Sequence, residues 1–92
     1  MSLLPETEIT AFIEAHPDWS WSDDAITRTF RLDDFSEAMG FVTRLALAAE
    51  KADHHPDLDI RWNKVKVVLT THSEGGITAR DLDLADLADS LV

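Results

Sequence analysis

The sequence predicts an α+β fold in which a four-stranded antiparallel sheet carries three helices on one face, in the order αββαββα. Segments whose apolar residues recur at helical spacing alternate with segments in which they recur at every second residue. The strand-like segments come in adjacent pairs joined by short turns, which is typical of hairpins in an antiparallel sheet. The length of 92 residues favours one domain, residues 1–92.

The first predicted helix begins at Pro5, because proline suits the first turn of a helix. It should end near Ala15, since a second proline follows two residues later and disfavours helical geometry before it. The stretch from Trp19 to Leu32 then alternates between apolar and polar residues, and Ser22-Asp23-Asp24 provides a turn between two short strands. In the second strand, Ile26, Phe30 and Leu32 alternate with Thr27, Thr29 and Arg31, and Arg28 breaks this alternation.

A long amphipathic helix is predicted next. Asp33 and Asp34 are suitable N-cap residues, and Pro56 should end the helix at about His54. We expect the inner side of this helix to carry the apolar residues Phe35, Met39, Val42, Leu45, Ala46 and Ala49.

The second strand pair should run from Ile60 to Trp62 and from Val65 to His72, with a turn at Asn63-Lys64. Within the second of these strands, one face carries Val65, Val67, Leu69 and Thr71. Two adjacent glycines then break the chain. The run from Thr78 to Asp81 has the spacing of a capping box, which predicts that the last helix begins there.

Charge and composition exclude several classes of function. Acidic residues outnumber basic ones by 18 to 8, and the net charge of −10 argues against nucleic-acid or anionic-membrane partners. The absence of cysteine excludes disulfides, thiol nucleophiles and cysteine-ligated zinc. No apolar run approaches the roughly 20 residues of a membrane helix, and Met1–Glu6 lacks the features of a signal peptide. We therefore expect a cytoplasmic protein.

Three of the four histidines are expected near one another. His54 and His55 close the long helix, whereas His72 closes the second strand pair. Glu50 lies four residues before His54, on the same helix face. Because Pro56 removes His55 from helical geometry, the adjacent imidazoles should point in different directions. Free imidazole has a pKa of about 6.5, so it can both accept and donate protons at neutral pH.

Each of these residues also has an ordinary structural interpretation. A histidine at a helix C-terminus stabilises the helix dipole, Glu50 would be a solvated charge and Asp81 a helix cap. Histidines with a carboxylate are plausible zinc or iron ligands. The i,i+4 histidine pair of a zincin helix is missing, however, so we expect no metal.

The run Glu50-Lys51-Ala52-Asp53-His54-His55-Pro56, followed by Trp62, His72 and Asp81, resembles the signature of the pterin-4a-carbinolamine dehydratase family. The similarity extends to Phe30-Arg31-Leu32-Asp33-Asp34-Phe35, which resembles the family's entry into its long helix. Together with the segments before His72 and after it, the resemblance covers nearly the whole chain.

This resemblance implies dehydration of 4a-hydroxytetrahydropterin to quinonoid dihydropterin, which recycles the pterin after aromatic amino-acid hydroxylation. It implies no metal and no organic cofactor. His54 and His72 match the histidines with acid/base roles, and His55 matches the one that mainly binds the pterin. Glu50 and Asp81 match supporting carboxylates.

The resemblance also implies an aromatic residue at the site and association with further copies of the chain. Trp19 matches that aromatic, with Trp21 as the alternative because the spacing before Phe30 varies. The pair Asp57-Leu58 departs from the Glu-Trp common in animal members, so the resemblance does not assign the residues of the pocket rim. A homodimer or homotetramer is implied. The alternative function is a non-catalytic binding or assembly protein on the same fold, which loss of a signature histidine would favour.

Overall fold

The computed structural model describes residues 2–92, which form three α-helices and one four-stranded antiparallel sheet. The helices are α1 (Glu6–Ala15), α2 (Phe35–Ala52) and α3 (Ala79–Ser90). The strands are β1 (Ser20–Ser22), β2 (Ala25–Arg31), β3 (Asp57–Arg61) and β4 (Lys64–Leu69). The α+β class and the order αββαββα predicted from the sequence are confirmed.

The sheet has the strand order β1-β2-β4-β3, and every neighbouring pair is antiparallel. The core of its helix-covered face is built from buried side chains of the two central strands, as the period-two pattern predicts. They are Ile26 and Phe30 from β2, with Val65, Val67 and Leu69 from β4. α1 ends at Ala15 as predicted, although Pro5 lies just before it as its N-cap. Asp23 and Asp24 of the predicted turn separate β1 from β2, whereas Ser22 belongs to β1.

Arg28 interrupts the alternation because it joins the sheet to α3. Its guanidinium carbon lies 4.2 Å from the centre of the Phe30 ring. One guanidinium nitrogen donates to Asp89 Oδ1 of α3 at 2.6 Å, and the same carboxylate accepts from the indole nitrogen of Trp19 at 2.9 Å. A cation is therefore tolerated on the covered face because a carboxylate on the opposing helix is paired with it.

The predicted position of β3 was wrong. The strand occupies Asp57–Arg61 rather than Ile60–Trp62, because pairing with β4 fixes its register and places Arg61 opposite Lys64. The two residues between them, Trp62 and Asn63, form the connection. Trp62 has φ of +52°, a left-handed conformation that cannot continue a strand.

The predicted end of β4 was also too late. The strand ends at Leu69 rather than His72. Thr71 forms an isolated antiparallel bridge with Gly76, so the chain reverses there and His72 begins a short 3-10 helix, His72–Glu74. His72 therefore lies in a turn beside the sheet, where its side chain is exposed.

α2 begins as predicted but ends two residues early. Asp34 is its N-cap, and the side chain accepts a hydrogen bond from the backbone N–H of Glu37 at 2.8 Å. The helix ends at Ala52 because Asp53 adopts a left-handed conformation with φ of +53°. The N–H groups of Asp53 and His54 then bond back to carbonyls of the last turn, at 3.1 Å each. Among residues 2–92, no helix is long and apolar enough to cross a membrane.

Replacing Asp53 by glycine is expected to stabilise the fold. A non-glycine residue in the left-handed region costs about 1–2 kcal/mol, which glycine avoids. The greater freedom of glycine in the unfolded chain offsets part of that gain, so we expect a net increase of about 0.5–1 kcal/mol in the free energy of unfolding. Urea unfolding measures it, with Asp53→Ala as the destabilised control. A lower midpoint for Asp53→Gly would contradict this explanation of the helix end.

The predicted inner side of α2 was correct only in part. The residues that pack on the sheet are Ala38, Phe41, Leu45 and Ala49. Phe35 and Met39 are instead 52% and 36% exposed. The helix has two overlapping apolar stripes, and the stripe with alanines lets its backbone approach the sheet closely, where Phe41 lies 4.6 Å from the Phe30 ring. Periodicity alone does not decide which stripe is covered.

Candidate active site

The predicted histidines lie where the C-terminal end of α2, the N-terminal turn of α3 and the chain after β4 meet. His54 and His55 follow Asp53, the C-cap of α2, and His72 comes three residues after the end of β4. Asp81 lies in the first turn of α3. Hydrogen bonds and ion pairs connect these segments.

His54 is the buried member of the group. The turn after Asp53 directs the chain towards α3, and His54 is only 8% exposed. Its Nε2 lies 2.6 Å from Oδ1 of Asp81, which is completely buried. Since solvent is excluded from this contact, the carboxylate fixes the ring more firmly than an exposed partner would.

Asp81 is held by further hydrogen bonds from two threonines. Its Oδ2 accepts from the Thr71 hydroxyl at 2.8 Å and from the backbone N–H of Thr78 at 2.9 Å. The Thr78 oxygen accepts from the backbone N–H of Arg80 at 3.3 Å and lies 2.8 Å from the Thr71 oxygen. The predicted capping box is confirmed, and its carboxylate is also the partner of His54.

This network assigns the tautomer of His54. A carboxylate can only accept hydrogen bonds, so Nε2 of His54 must be the donor to Asp81. The Thr71 hydroxyl donates to Asp81 as well, which leaves the Thr78 hydroxyl to donate to Thr71. Among residues 2–92, no group hydrogen bonds to Nδ1 of His54. In the neutral ring, Nδ1 is therefore the nitrogen that can accept a proton from a ligand.

His55 and Glu50 form a separate pair on the surface. Nε2 of His55 lies 2.7 Å from Oε1 of Glu50, and both side chains are more than half exposed. The sequence placed Glu50 on the helix face of His54, but α2 ends before His54 and the carboxylate meets His55 instead. As predicted from Pro56, the two adjacent imidazoles have different environments.

His72 is the most exposed of the three, with 77% of its side chain accessible. Its Nε2 lies 3.9 Å from Oδ2 of Asp57, which begins β3 two residues after His55. The preceding residue, Thr71, is bonded to Asp81. His72 is thus connected to the His54 pair through its neighbour, and to the His55 segment through Asp57.

Trp19 is buried in the core instead of facing the histidines. It is almost inaccessible to solvent, packs edge-on against Phe30 and donates its indole N–H to Asp89. Trp21 is half-buried and donates to the backbone oxygen of Asp23. Neither indole makes a ring contact or hydrogen bond with the three histidines among residues 2–92. The expected supporting role of Trp19 stays a prediction.

A groove of about 510 Å³ lies between α2 and α3, and His54 forms part of its wall. The other lining residues are mainly apolar, with charges from Lys51, Arg80 and Asp83. Such a combination suits a flat polar heterocycle, which needs an apolar surface and a few oriented polar groups. Among residues 2–92, His, Asp and Glu side chains form no group of three suited to a metal ion.

Two residues of this site, Thr71 and Asp57, were given no contact with the histidines or Asp81 from the sequence. Thr71 continues the apolar face of the predicted strand with a hydroxyl group, and this was a signal because a buried hydroxyl needs a partner. Asp57 was noted from the sequence only as a departure from the family pattern at the pocket rim, and its contact with His72 depends on how the chain turns after β4.

Comparison with known proteins gives a consistent result over the full chain. Residues 2–91 match the family model described as pterin 4 alpha carbinolamine dehydratase. A Chloroflexus aurantiacus protein named "Putative pterin-4-alpha-carbinolamine dehydratase" is 48% identical, over 100% of this chain and 99% of its own. A Prochlorococcus marinus protein of the same name is 44% identical, over 100% and 97%.

Solved structures agree with this result. The crystal structure of a transcriptional coactivator/pterin dehydratase from Brucella melitensis has a TM-score of 0.93 and 41% identity, covering 98% of each chain. A pterin dehydratase-like protein identified as a RuBisCO assembly factor in the alpha-carboxysome has a TM-score of 0.67. At 16% identity over 79% of this chain and 84% of the other, that likeness concerns the fold alone.

Proposed function

The chain belongs to the pterin-4a-carbinolamine dehydratase family, and we propose on this basis that it dehydrates a 4a-hydroxytetrahydropterin to the quinonoid dihydropterin. The observation that carries the proposal is the contact between His54 and the buried carboxylate of Asp81, at 2.6 Å beside the groove. A fixed imidazole with one free nitrogen is suited to moving a proton at a bound ligand.

The reaction needs one proton acceptor and one proton donor. N5 of the pterin loses its proton, a double bond forms between N5 and C4a, and the C4a–O bond breaks. The departing hydroxyl takes up a proton and leaves as water. The proton removed and the proton delivered balance, so no oxidant or reductant is required.

We assign the proton acceptor to His54 and the donor to His72. When His54 accepts a proton at Nδ1, the resulting imidazolium is stabilised by Asp81, which already accepts the Nε2 proton. His72 is exposed and lies near Asp57, so it can regain a proton from solvent after each turnover. His54 lines the open groove and can release its proton to solvent there. This division follows from burial, since a buried base is protected from water and an exposed acid is readily recharged.

His55 is proposed to bind the pterin rather than to exchange protons with it. Glu50 accepts from one nitrogen of its ring at 2.7 Å, which leaves the other nitrogen to contact a polar edge of the ligand. Lys51 and Arg80 at the groove add donors for a carbonyl or ring nitrogen. All three histidines retain a carboxylate neighbour, so the alternative of a non-catalytic assembly protein gains no specific support.

The test is a dehydration assay with freshly generated substrate. A pterin-dependent hydroxylase produces 4a-hydroxytetrahydropterin, and the appearance of quinonoid dihydropterin is followed by absorbance with and without the protein. We expect clear acceleration over spontaneous dehydration, in proportion to protein concentration. Folded protein that gives no acceleration would overturn the proposal and favour the assembly function.

We also propose that the outer face of α2 is covered by another copy of the chain. Phe35, Met39, Val42 and Ala46 recur at spacings of four, three and four, which is the pattern of a helix–helix seam. Phe35 and Met39 are substantially exposed in the single chain. Sedimentation equilibrium is expected to give a dimer or tetramer. A monomer at micromolar concentration would contradict this expectation.

A further inference from the structure

The sheet face opposite the helices carries a compact group of cations. β4 places Lys64 between Arg31 of β2 and Arg61 of β3, so three basic residues stand in one row across adjacent strands. Lys66 lies on the same face, one pleat further along β4. We call these four residues the basic patch. They are half of the eight lysines and arginines in the chain.

The chain neutralises the basic patch only in part, through Asp59, which lies opposite Lys66 on the neighbouring strand. Side chains directly opposite each other on neighbouring strands are about 5 Å apart, and like charges at such positions are destabilising. Arg61 pairs with Asp59 at 3.0 Å. Among residues 2–92, no carboxylate lies within 4.0 Å of the charged groups of Arg31, Lys64 or Lys66. In a chain with a net charge of −10, such a grouping of cations indicates a role in binding rather than in stabilising the fold.

The surroundings of the basic patch favour a macromolecular partner over a small anion. Arg61, Lys64 and Lys66 line a shallow groove of about 260 Å³ with Thr29 and Asp59, and its walls are side chains standing on a sheet. Trp62, at the end of the β3–β4 hairpin, is 65% exposed, and the Lys64 ammonium lies 5.8 Å from its ring. Exposed tryptophan beside arginine is typical of residues that anchor protein–protein contacts.

We propose that the basic patch and Trp62 form a docking surface for an acidic segment of a partner protein. A second copy is disfavoured, because a two-fold contact through this face would set the basic patch against itself. A nucleic acid is disfavoured because its phosphates would extend beyond the basic patch over an otherwise acidic surface. The surface lies at the turn end of the hairpin, whereas Asp57 and its neighbour His72 lie at the other end. This docking surface is therefore separate from the site proposed for dehydration.

Fluorescence anisotropy with fluorescein-labelled poly-L-glutamate tests this proposal. At a salt concentration of about 0.1 M the Debye length is about 10 Å, so remote carboxylates are screened while contacts at the basic patch persist. We expect the wild-type protein to bind the probe and Lys64→Glu to bind at least about tenfold weaker, a loss of about 1.4 kcal/mol. Arg44→Glu on α2 makes the same change in net charge and should stay within about twofold.

Thermal unfolding of Lys64→Glu provides a second measurement. A glutamate between Arg31 and Arg61 replaces two like-charge contacts by two favourable ones, so the variant should melt at a higher temperature than the wild type. A melting temperature below that of the wild type would overturn the claim that the basic patch is destabilising.

Four binding results would overturn the proposal. They are no binding by the wild type, unchanged binding by Lys64→Glu, an equal loss with Arg44→Glu, and preferential binding of single-stranded DNA to the basic patch. Self-association that disappears in Lys64→Glu would assign the surface to a second copy and would equally overturn it.

Discussion

Replacing His54 by glutamine together with His72 by alanine is expected to abolish measurable acceleration of the dehydration while the chain stays folded. General acid–base catalysis contributes about 10²–10⁴-fold for each group, and the double variant loses both groups. Each single variant should retain part of the activity, because the remaining histidine still performs its own proton transfer. Glutamine at position 54 can still donate a hydrogen bond to Asp81, so the buried carboxylate keeps a partner.

The matched control for this experiment is His16→Ala. His16 caps α1, stacks on Phe12 at 3.9 Å and hydrogen bonds to its carbonyl oxygen, with no contact to the other three histidines. Its replacement should leave the dehydration rate unchanged. Wild-type activity in the double variant, with circular dichroism confirming the fold, would refute the assignment of both residues.

Asp81→Asn is expected to reduce kcat by about 10²–10⁴-fold, because it disturbs the tautomer of His54. The carboxylate accepts from His54 on one oxygen and from Thr71 and the Thr78 backbone on the other. An amide replaces one acceptor by a donor. If the NH₂ group faces His54, Nε2 must accept and the ring proton moves to Nδ1, the atom proposed to act as the base.

The opposite orientation of the amide is also unfavourable, since NH₂ would then face the donors from Thr71 and Thr78. An unpaired buried donor costs about 1–3 kcal/mol, so we expect that loss in the free energy of unfolding. Stopped-flow kinetics measures the loss of kcat, urea unfolding the loss of stability, and ¹⁵N NMR of the His54 ring the change of tautomer.

Asp86→Asn serves as the control for Asp81→Asn, because it makes the same charge change at an exposed position of α3. Its rate and its stability should stay close to those of the wild type. If Asp81→Asn kept the wild-type kcat and the wild-type tautomer, the proposed function of the carboxylate would be wrong.

Features that depend on a few neighbouring residues were predicted well from the sequence. The Asp34 cap, the Asp23-Asp24 turn and the Thr78–Asp81 capping box involve contacts within about three residues, so local chemistry determines them. Features that depend on distant partners were not. The covered stripe of α2 and the register of β3 are selected by the sheet, which the sequence pattern does not specify.

The residues of the site show the same difference between local and long-range contacts. His54 and Asp81 are 27 residues apart, so spacing identified both residues but could not predict that they would be in contact. Glu50 was assigned to the face of His54 because the helix was expected to continue, and the left-handed Asp53 ends it first. Thr71, ten residues before Asp81, could be placed in the network only once β4 and α3 were packed together.

The most direct test of the central claim is histidine NMR during titration with 7,8-dihydropterin, the stable tautomer of the expected product. The chain has four histidines, so selective labelling gives four sets of ring signals, assigned by single replacements. We predict that the signals of His54, His55 and His72 shift together with one binding curve while those of His16 do not move. A protein that accelerates dehydration without shifting these three, or that shifts only His16, would contradict the account.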